Sequence, residues 1–155
     1  MIEPRSAVKK MIPYHPPVSD RKAYLRMDFN ENLAGPSPKV LERLRHVSAE
    51  DLAIYPDMEK MDAKIAAFYR VRREEVCVTN GADEAIQCCV NAFARPGECL
   101  MMDPSYSMYR IYLDVMGCEA VKLPYHAPDF AFPTAELDKA LSSGQIRFVI
   151  LGSPN

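Results

Sequence analysis

A short β-rich run, a tight turn and an amphipathic pattern follow one another between residues 75 and 93, and this stretch constrains the fold more than any other. Residues 76–79 are typical of a short buried strand. Asn80 and Gly81 tolerate left-handed backbone angles and predict a sharp turn. Apolar residues at helical spacing then predict a helix with one face against a sheet: Ala82, Ala85, Ile86, Cys89, Val90 and Phe93.

A helix that begins at the carboxyl end of a strand is a favourable place for an anion. Its first N–H groups have no partner within the helix, and its dipole favours negative charge at the same end. A ligand phosphate would fit there. A second interpretation stays open, in which Asp83 and Glu84 only complement the dipole and cap the helix.

Strand and helix patterns alternate over the rest of the chain. Strands are predicted at residues 99–102, 120–123 and 147–151, with helices at about 105–116 and 135–142. This order predicts an α/β fold with a mostly parallel sheet, helices on both faces, and ligands at the carboxyl ends of the strands. The loops at Gly81, at Asp103-Pro104 and at residues 152–155 should therefore meet at one edge.

The first third of the chain divides into an arm and two helices. Residues 1–27, with prolines at 4, 13, 16 and 17, are interpreted as an extended N-terminal arm, and a polar loop follows it up to residue 36. Residues 37–155 are interpreted as the N-terminal part of a larger domain, because the chain stops directly after a strand. Ser37 and Asp57 should cap two helices. Their predicted buried faces are Val40, Leu41, Leu44 and Val47 in the first, and Met58, Met61, Ile65 and Phe68 in the second.

Composition excludes several classes of function. The net charge of −2 and the scattered basic residues give no footprint for nucleic acid. No apolar run approaches membrane-spanning length and no signal peptide is evident, so a cytoplasmic location is expected. The five cysteines lack a C-x-x-C pair and the three histidines lie apart, so neither disulfides nor a metal site is expected. The cysteines are interpreted as small core residues.

Tyr106 follows the second strand-end loop and has an aromatic face on which a planar cofactor could stack. The alternative places Tyr106, Tyr109 and Tyr112 together on a helix face packed in the core. Common nucleotide-binding, hydrolase and zinc-protease motifs do not occur in the sequence.

A series of short motifs resembles the class II aminotransferases of fold type I over roughly residues 24–155. In chain order they are Tyr55-Pro56, Thr79-Asn80-Gly81-Ala82-Asp83-Glu84-Ala85-Ile86, Pro96-Gly97-Glu98, Pro104-Ser105-Tyr106-Ser107-Met108-Tyr109, Gly117 and Gly152-Ser153-Pro154-Asn155. The segment Asn30-Glu31-Asn32 resembles the family's entrance loop, although Leu33 stands where the family often has proline.

This resemblance implies pyridoxal 5'-phosphate as the cofactor. It implies that Gly81, Ala82 and Asp83 hold the cofactor phosphate and that Tyr106 stacks on its ring. Tyr55 would reach the phosphate of the partner subunit in a homodimer, and Asn32 would lie on the substrate side. The family's Schiff-base lysine is expected beyond residue 155, so this chain has no catalytic residue of its own and should not be active alone.

The implied reaction is transamination between an amino acid or amino-alcohol phosphate and a 2-oxo acid, with histidinol phosphate as the leading donor. Two alternatives stay open. One is a pyridoxal-phosphate decarboxylase acting on a phosphorylated amino acid. The other is a short non-catalytic chain that dimerises or binds phosphate.

Overall fold

The structure, a computed structural model, describes residues 2–15 and 20–155. Its contacts divide the chain into two compact units. Residues 2–13 and 78–155 form one, here called the sheet unit, and the described residues of 14–77 form the other, here called the helical unit. The predicted boundary at residue 36 stays a prediction.

The described elements alternate as an α/β chain. The helices are α1 (Ser6–Lys9), α2 (Pro38–Arg45), α3 (Ala49–Ala53), α4 (Met58–Tyr69), α5 (Gly81–Phe93), α6 (Ser107–Met116) and α7 (Thr134–Ser142), and the strands are β1 (Cys99–Asp103), β2 (Val121–Pro124) and β3 (Phe148–Ile150). Short 3-10 helices span Arg21–Ala23 and Arg73–Glu75. The predicted elements from residue 81 onward are confirmed to within two residues at most ends.

The three strands of the sheet unit run parallel in the order β2-β1-β3. Leu100 of β1 lies opposite Val121 on one side and Val149 on the other. The predicted parallel α/β fold is therefore confirmed. Because the strands are parallel, their carboxyl ends lie at one edge of the sheet.

The core of the sheet unit is built around β1. Cys99, Leu100, Met101 and Met102 are all buried, and since successive side chains of a strand point to opposite faces, both faces of β1 are covered. Val90, Leu113 and Cys118 pack with Cys99 and Met101 in one cluster. These contacts hold α5 and α6 against the central strand of the sheet.

Residues 2–13 include a short helix, where the sequence predicted an extended arm. Helix α1 packs against α6, and the Arg5 guanidinium donates to the Val115 carbonyl oxygen at 2.7 Å. The prolines do not prevent this helix because they flank it rather than interrupt it. Pro16 and Pro17, on which the prediction also depended, lie outside the described residues.

The strand predicted at residues 76–79 is wrong. The backbone is extended at Val76, with φ −114° and ψ 132°, but residues 76–79 pair with no strand in the part of the chain that the structure describes. A β-branched run reports only a local preference for extended backbone, whereas a strand also needs a neighbour to receive its hydrogen bonds.

The predicted buried face of α2 is also wrong. Val40, Leu41, Leu44 and Val47 are all exposed. In α4 only Ala66 is buried, and Phe68 is 78% exposed. Amphipathic spacing shows which face prefers burial, but burial requires a partner surface, which the described residues of the helical unit do not provide.

The interpretation of the cysteines as core residues is confirmed for two of the five and is wrong for three. Cys99 and Cys118 are buried, whereas Cys77, Cys88 and Cys89 are exposed. On α5 the buried stripe is narrower than predicted: it centres on Ile86 and Val90 and leaves Phe93 exposed. Across residues 2–15 and 20–155 no helix has the length and apolar character needed to span a membrane.

Candidate active site

The turn into α5 depends on Gly81. Its φ of +81° lies in the left-handed region, where a side chain is strained. A Cβ atom at this position would meet no atom within 4 Å, so the space beside the turn is open. Thr79 stabilises the turn by two hydrogen bonds with Gly81. Its hydroxyl donates to the Gly81 carbonyl oxygen and its carbonyl oxygen accepts from the Gly81 N–H, both at 2.9 Å.

The N-terminus of α5 has no side-chain cap from its own N-cap residue. Asn80 precedes the helix with φ −77° and ψ 69°, and its amide does not bond the first turn. Glu84 instead accepts from the backbone N–H of Asn80. The capping interpretation therefore fits Glu84. Its carboxylate accepts from the N–H of Asn80, which precedes the helix, and leaves the N–H groups of the first helical turn without a side-chain acceptor from Asn80.

Asp83 has a different partner. The Tyr106 hydroxyl donates to the Asp83 carboxylate at 2.9 Å, which joins the first turn of α5 to the residue that precedes α6. The two residues are 23 positions apart in the chain. The contact places Tyr106 directly beside the open turn at Gly81.

The three tyrosines predicted for α6 divide between core and surface. Tyr109 and Tyr112 pack against the core cluster, and burial, followed by the charge of Asp83, raises the pKa of Tyr112. Tyr106 is 46% exposed, and its ring meets that of Tyr109 edge to face at 5.5 Å. Fixed at its hydroxyl and against a second ring, Tyr106 presents aromatic surface on which a planar ligand could stack.

The loop after β3 completes the edge. The Asn155 side-chain amide donates to the Pro104 carbonyl oxygen at 3.0 Å and to the Tyr125 hydroxyl oxygen at 2.8 Å. Its side-chain oxygen accepts from the Ser105 hydroxyl at 2.6 Å. The predicted meeting of the loops at Gly81, Asp103-Pro104 and residues 152–155 is thus confirmed.

Gly152 lies close to Asn155 of its own loop and to Tyr109 of α6. A Cβ atom there would lie 2.9 Å from the Asn155 side-chain oxygen and 3.5 Å from the Tyr109 hydroxyl. The close approach, and not an unusual backbone angle, accounts for glycine at this position.

Two predicted site residues belong to the helical unit. Asn32 uses its side chain to close its own turn, donating to the Gly35 carbonyl at 2.8 Å and accepting from the Ala34 N–H at 3.1 Å. Tyr55 is 97% exposed. Their roles toward substrate and partner subunit stay predictions, whereas Gly81, Ala82, Asp83 and Tyr106 lie together at the sheet edge.

Sequence reasoning missed the contacts made by Tyr125, Ser105 and Asn155. Ser105 and Asn155 stand in motifs that the sequence singled out, but their pairing spans 50 residues and carries no local signal. Tyr125 directly follows β2, and its place at the end of a parallel strand was the one available indication.

This edge has the features that a phosphorylated planar cofactor needs. An uncapped helix N-terminus supplies N–H donors, the glycine turn leaves room beside them, and a half-exposed aromatic ring lies next to both. No three histidine, cysteine, aspartate or glutamate side chains within the described ranges are grouped to hold a metal ion.

The model of the family described as aminotransferase class I and II matches residues 22–155. The chain belongs to this family. It is similar to the histidinol-phosphate aminotransferase of Clostridium beijerinckii, with 33% identity over 155 residues that cover 96% of this chain and 41% of that relative. The chain thus spans less than half the length of this curated relative.

Solved structures agree with the family. The chain resembles YbdL from Escherichia coli, for which a methionine aminotransferase function is described, with a TM-score of 0.51 and 29% identity over 63% of this chain and 26% of that one. It shares its fold with Bna3p from Saccharomyces cerevisiae, a putative kynurenine aminotransferase, with a TM-score of 0.61 and 18% identity over 79% of this chain and 34% of that one.

Proposed function

We propose that the complete protein containing this chain is a pyridoxal-phosphate-dependent aminotransferase, and that this chain supplies its phosphate-binding and ring-stacking residues. The observation that carries the proposal is the contact between Asp83 at the first turn of α5 and Tyr106 before α6. It sets an anion-binding helix end beside an aromatic ring, which is the pairing that a planar phosphorylated cofactor requires.

The cofactor phosphate would bind at the start of α5, in the open space at Gly81. The backbone N–H groups of Ala82 and Asp83 belong to the first turn and have no partner within the helix. The Asp83 carboxylate accepts from the Tyr106 hydroxyl, and this hydrogen bond disperses part of its charge. An anion would therefore meet backbone donors here with less repulsion than an isolated carboxylate would cause.

The remaining roles follow from the family. When bound, pyridoxal phosphate would supply a ring that withdraws electrons from the substrate carbon next to the amino group. Tyr106 would hold that ring by stacking. Tyr55 would reach the phosphate of the partner subunit in a homodimer, and its 97% exposure leaves it available for this. Asn32 would lie on the substrate side.

Histidinol phosphate is the leading amino donor, with a 2-oxo acid as acceptor and the cytoplasm as the location. The support is the 33% identity to a relative named histidinol-phosphate aminotransferase. The similarity to YbdL, at 29% identity, makes methionine the donor to compare against it.

Tyr106→Phe and Tyr106→Ala test the ring directly in the complete protein. Phenylalanine keeps the stacking face and loses only the hydrogen bond to Asp83. Cofactor affinity should therefore fall by about twofold to thirteenfold, as for one hydrogen bond of about 0.5–1.5 kcal/mol. Alanine removes the face as well and should weaken affinity further. Equal cofactor occupancy after dialysis in wild type and Tyr106→Ala would contradict the stacking role.

Turnover assays test the substrate. Histidinol phosphate with 2-oxoglutarate should give faster turnover than methionine with the same acceptor. Release of carbon dioxide from an amino-acid phosphate, without transamination, would instead favour the decarboxylase. A native protein no longer than this chain, with neither activity, would favour the short non-catalytic alternative.

A further inference from the structure

Asn155 ties together the loops that follow all three strands of the sheet. It lies in the loop after β3, its partners Pro104 and Ser105 lie in the loop after β1, and its partner Tyr125 directly follows β2. The partners are 30 to 51 residues distant in the chain. One carboxamide therefore joins the loops at the carboxyl ends of all three described strands by hydrogen bonds.

The orientation of this carboxamide is fixed by its partners. The Pro104 carbonyl oxygen can only accept, so the group facing it at 3.0 Å must be the NH2 of Asn155. The other N–H then faces the Tyr125 oxygen, and the side-chain oxygen is left to accept from the Ser105 hydroxyl. Both donors and the acceptor are used, which no other residue of similar size could reproduce.

The segment that Asn155 holds leads directly into Tyr106. Pro104 and Ser105 are the two residues before it, and Tyr106 is the N-cap of α6. Asn155 holds the backbone of the first and the side chain of the second. On the other side Tyr125 is fixed by an edge contact with Phe132, with ring centres 6.3 Å apart.

We propose that Asn155 is a positioning residue of the cofactor site: it fixes the segment Pro104-Ser105 and thereby the placement of the Tyr106 ring beside the turn at Gly81. This inference rests on the proposed function, since it assigns Tyr106 to the cofactor ring. Asn155 acts through Tyr106, and Tyr125 supports it from β2.

Asn155→Asp is the sharpest variant. It keeps the shape of the side chain but replaces the NH2 group, which donates to both Pro104 and Tyr125, by an oxygen. That oxygen would face the Pro104 carbonyl oxygen at about the present 3.0 Å. Two acceptors facing each other repel, so the segment must move. Tyr125→Phe removes a single bond from the same network. Asn91→Asp makes the same chemical change at an exposed position of α5 and is the matched control.

Three measurements on the complete protein separate this inference from the proposed function. Hydrogen exchange of residues 104–109 without cofactor reports the segment itself, and pyridoxal-phosphate affinity with circular dichroism in the cofactor's absorption band reports the ring. Asn155→Asp should raise exchange of residues 104–109, weaken affinity by about tenfold, and change the dichroic band. Tyr125→Phe should shift all three in the same direction by less, and Asn91→Asp should leave them unchanged.

Unchanged exchange of residues 104–109 in Asn155→Asp would overturn the inference, and so would faster exchange with wild-type affinity and dichroism. If Asn155→Asp fails to fold, Tyr125→Phe decides by the same criteria. Wild-type protein that binds no pyridoxal phosphate would instead contradict the proposed function, while the exchange measurement would still show whether Asn155 holds the segment.

Discussion

The helices of the two units begin differently. In the helical unit, Ser37, Ser48 and Asp57 each accept a backbone N–H of the helix that follows, at 3.0–3.4 Å. In the sheet unit, the N-cap residues of α5 and α6 are Asn80 and Tyr106, and neither caps its helix with a side chain. Asparagine is among the best capping residues, so its failure to cap α5 does not follow from its chemistry.

An uncapped N-terminus at α5 is what the proposed phosphate site requires. A capped helix has used part of its N-terminal hydrogen-bonding capacity to stabilise itself, whereas an uncapped helix leaves those N–H groups to solvent or to an anion. The uncapped ends also occur in the unit that has a buried core to hold them. In the helical unit, by contrast, Ala66 is the one buried residue among the described helices.

Gly81→Ala, at the uncapped start of α5, has the largest expected effect on stability and on cofactor affinity. The left-handed angle of +81° costs alanine about 1–2 kcal/mol, and relieving it would shift the first turn of α5. We expect a lower urea midpoint and cofactor affinity weaker by about tenfold or more, measured by unfolding and by equilibrium binding.

Gly144→Ala is the matched control for that change. Gly144 has φ +70° and, like Gly81, open space where the Cβ atom of an alanine would lie, but it follows α7. It should lower the midpoint by a similar amount and leave cofactor affinity unchanged. Equal loss of affinity in both variants would mean that the turn at Gly81 has no specific role.

Alanine substitution at a capping N-cap residue and at a non-capping one should have the next largest effect, and the cost in stability should differ between the two units. Ser48→Ala deletes the capping box with Asp51 and should destabilise α3 by about 1 kcal/mol. Asn80→Ala should cost less than about 0.5 kcal/mol, because no cap is lost. Hydrogen exchange of the first-turn amides of α3 and α5 measures both. A larger destabilisation by Asn80→Ala than by Ser48→Ala would contradict the difference in capping between the two units.

The smallest expected effect is a loosening of the entrance loop in acid. The Arg21 guanidinium lowers the pKa of Asp28, and Arg26 followed by Arg21 lowers that of Glu31. A carboxylate whose pKa is lowered in the folded state stabilises that state. The stabilisation is fully present at a pH above the ordinary pKa values, 3.8 for Asp28 and 4.5 for Glu31, and is lost as the pH falls through the lowered pKa values.

The ring of Phe29 reports this network, because the Arg21 guanidinium lies 4.4 Å from its centre. Its NMR shifts should stay constant from pH 7 to about 4.5 and change below that. Arg21→Met should abolish the acid-dependent change. A transition of the Phe29 ring near pH 6 would point to a different titrating group.

Local signals explain what the sequence predicted correctly. Ser37, Asp57 and the Pro96-Gly97 pair act on their immediate neighbours, so the helix ends near them were predictable. The central strand from residue 99 onward was predictable because it is buried on both faces and reads as a continuous apolar run.

What the sequence missed depends on contacts between distant residues. Residues 76–79 have a strand-like composition without a pairing partner, and Val40 and Leu44 have helical spacing without a covering surface. The Asp83–Tyr106 contact and the Asn155 network join loops that only the folded sheet brings together. The meeting of the loops at one edge of the sheet was therefore predictable, and the hydrogen bonds between them were not.

The most direct test of the account is the intact mass of the complete native protein before and after borohydride reduction. The account predicts that the protein gains one reduced phosphopyridoxyl group per chain, and that Gly81→Ala and Tyr106→Ala gain less after dialysis while Gly144→Ala matches the wild type. A complete protein with unchanged mass after reduction in the presence of pyridoxal phosphate would contradict the account.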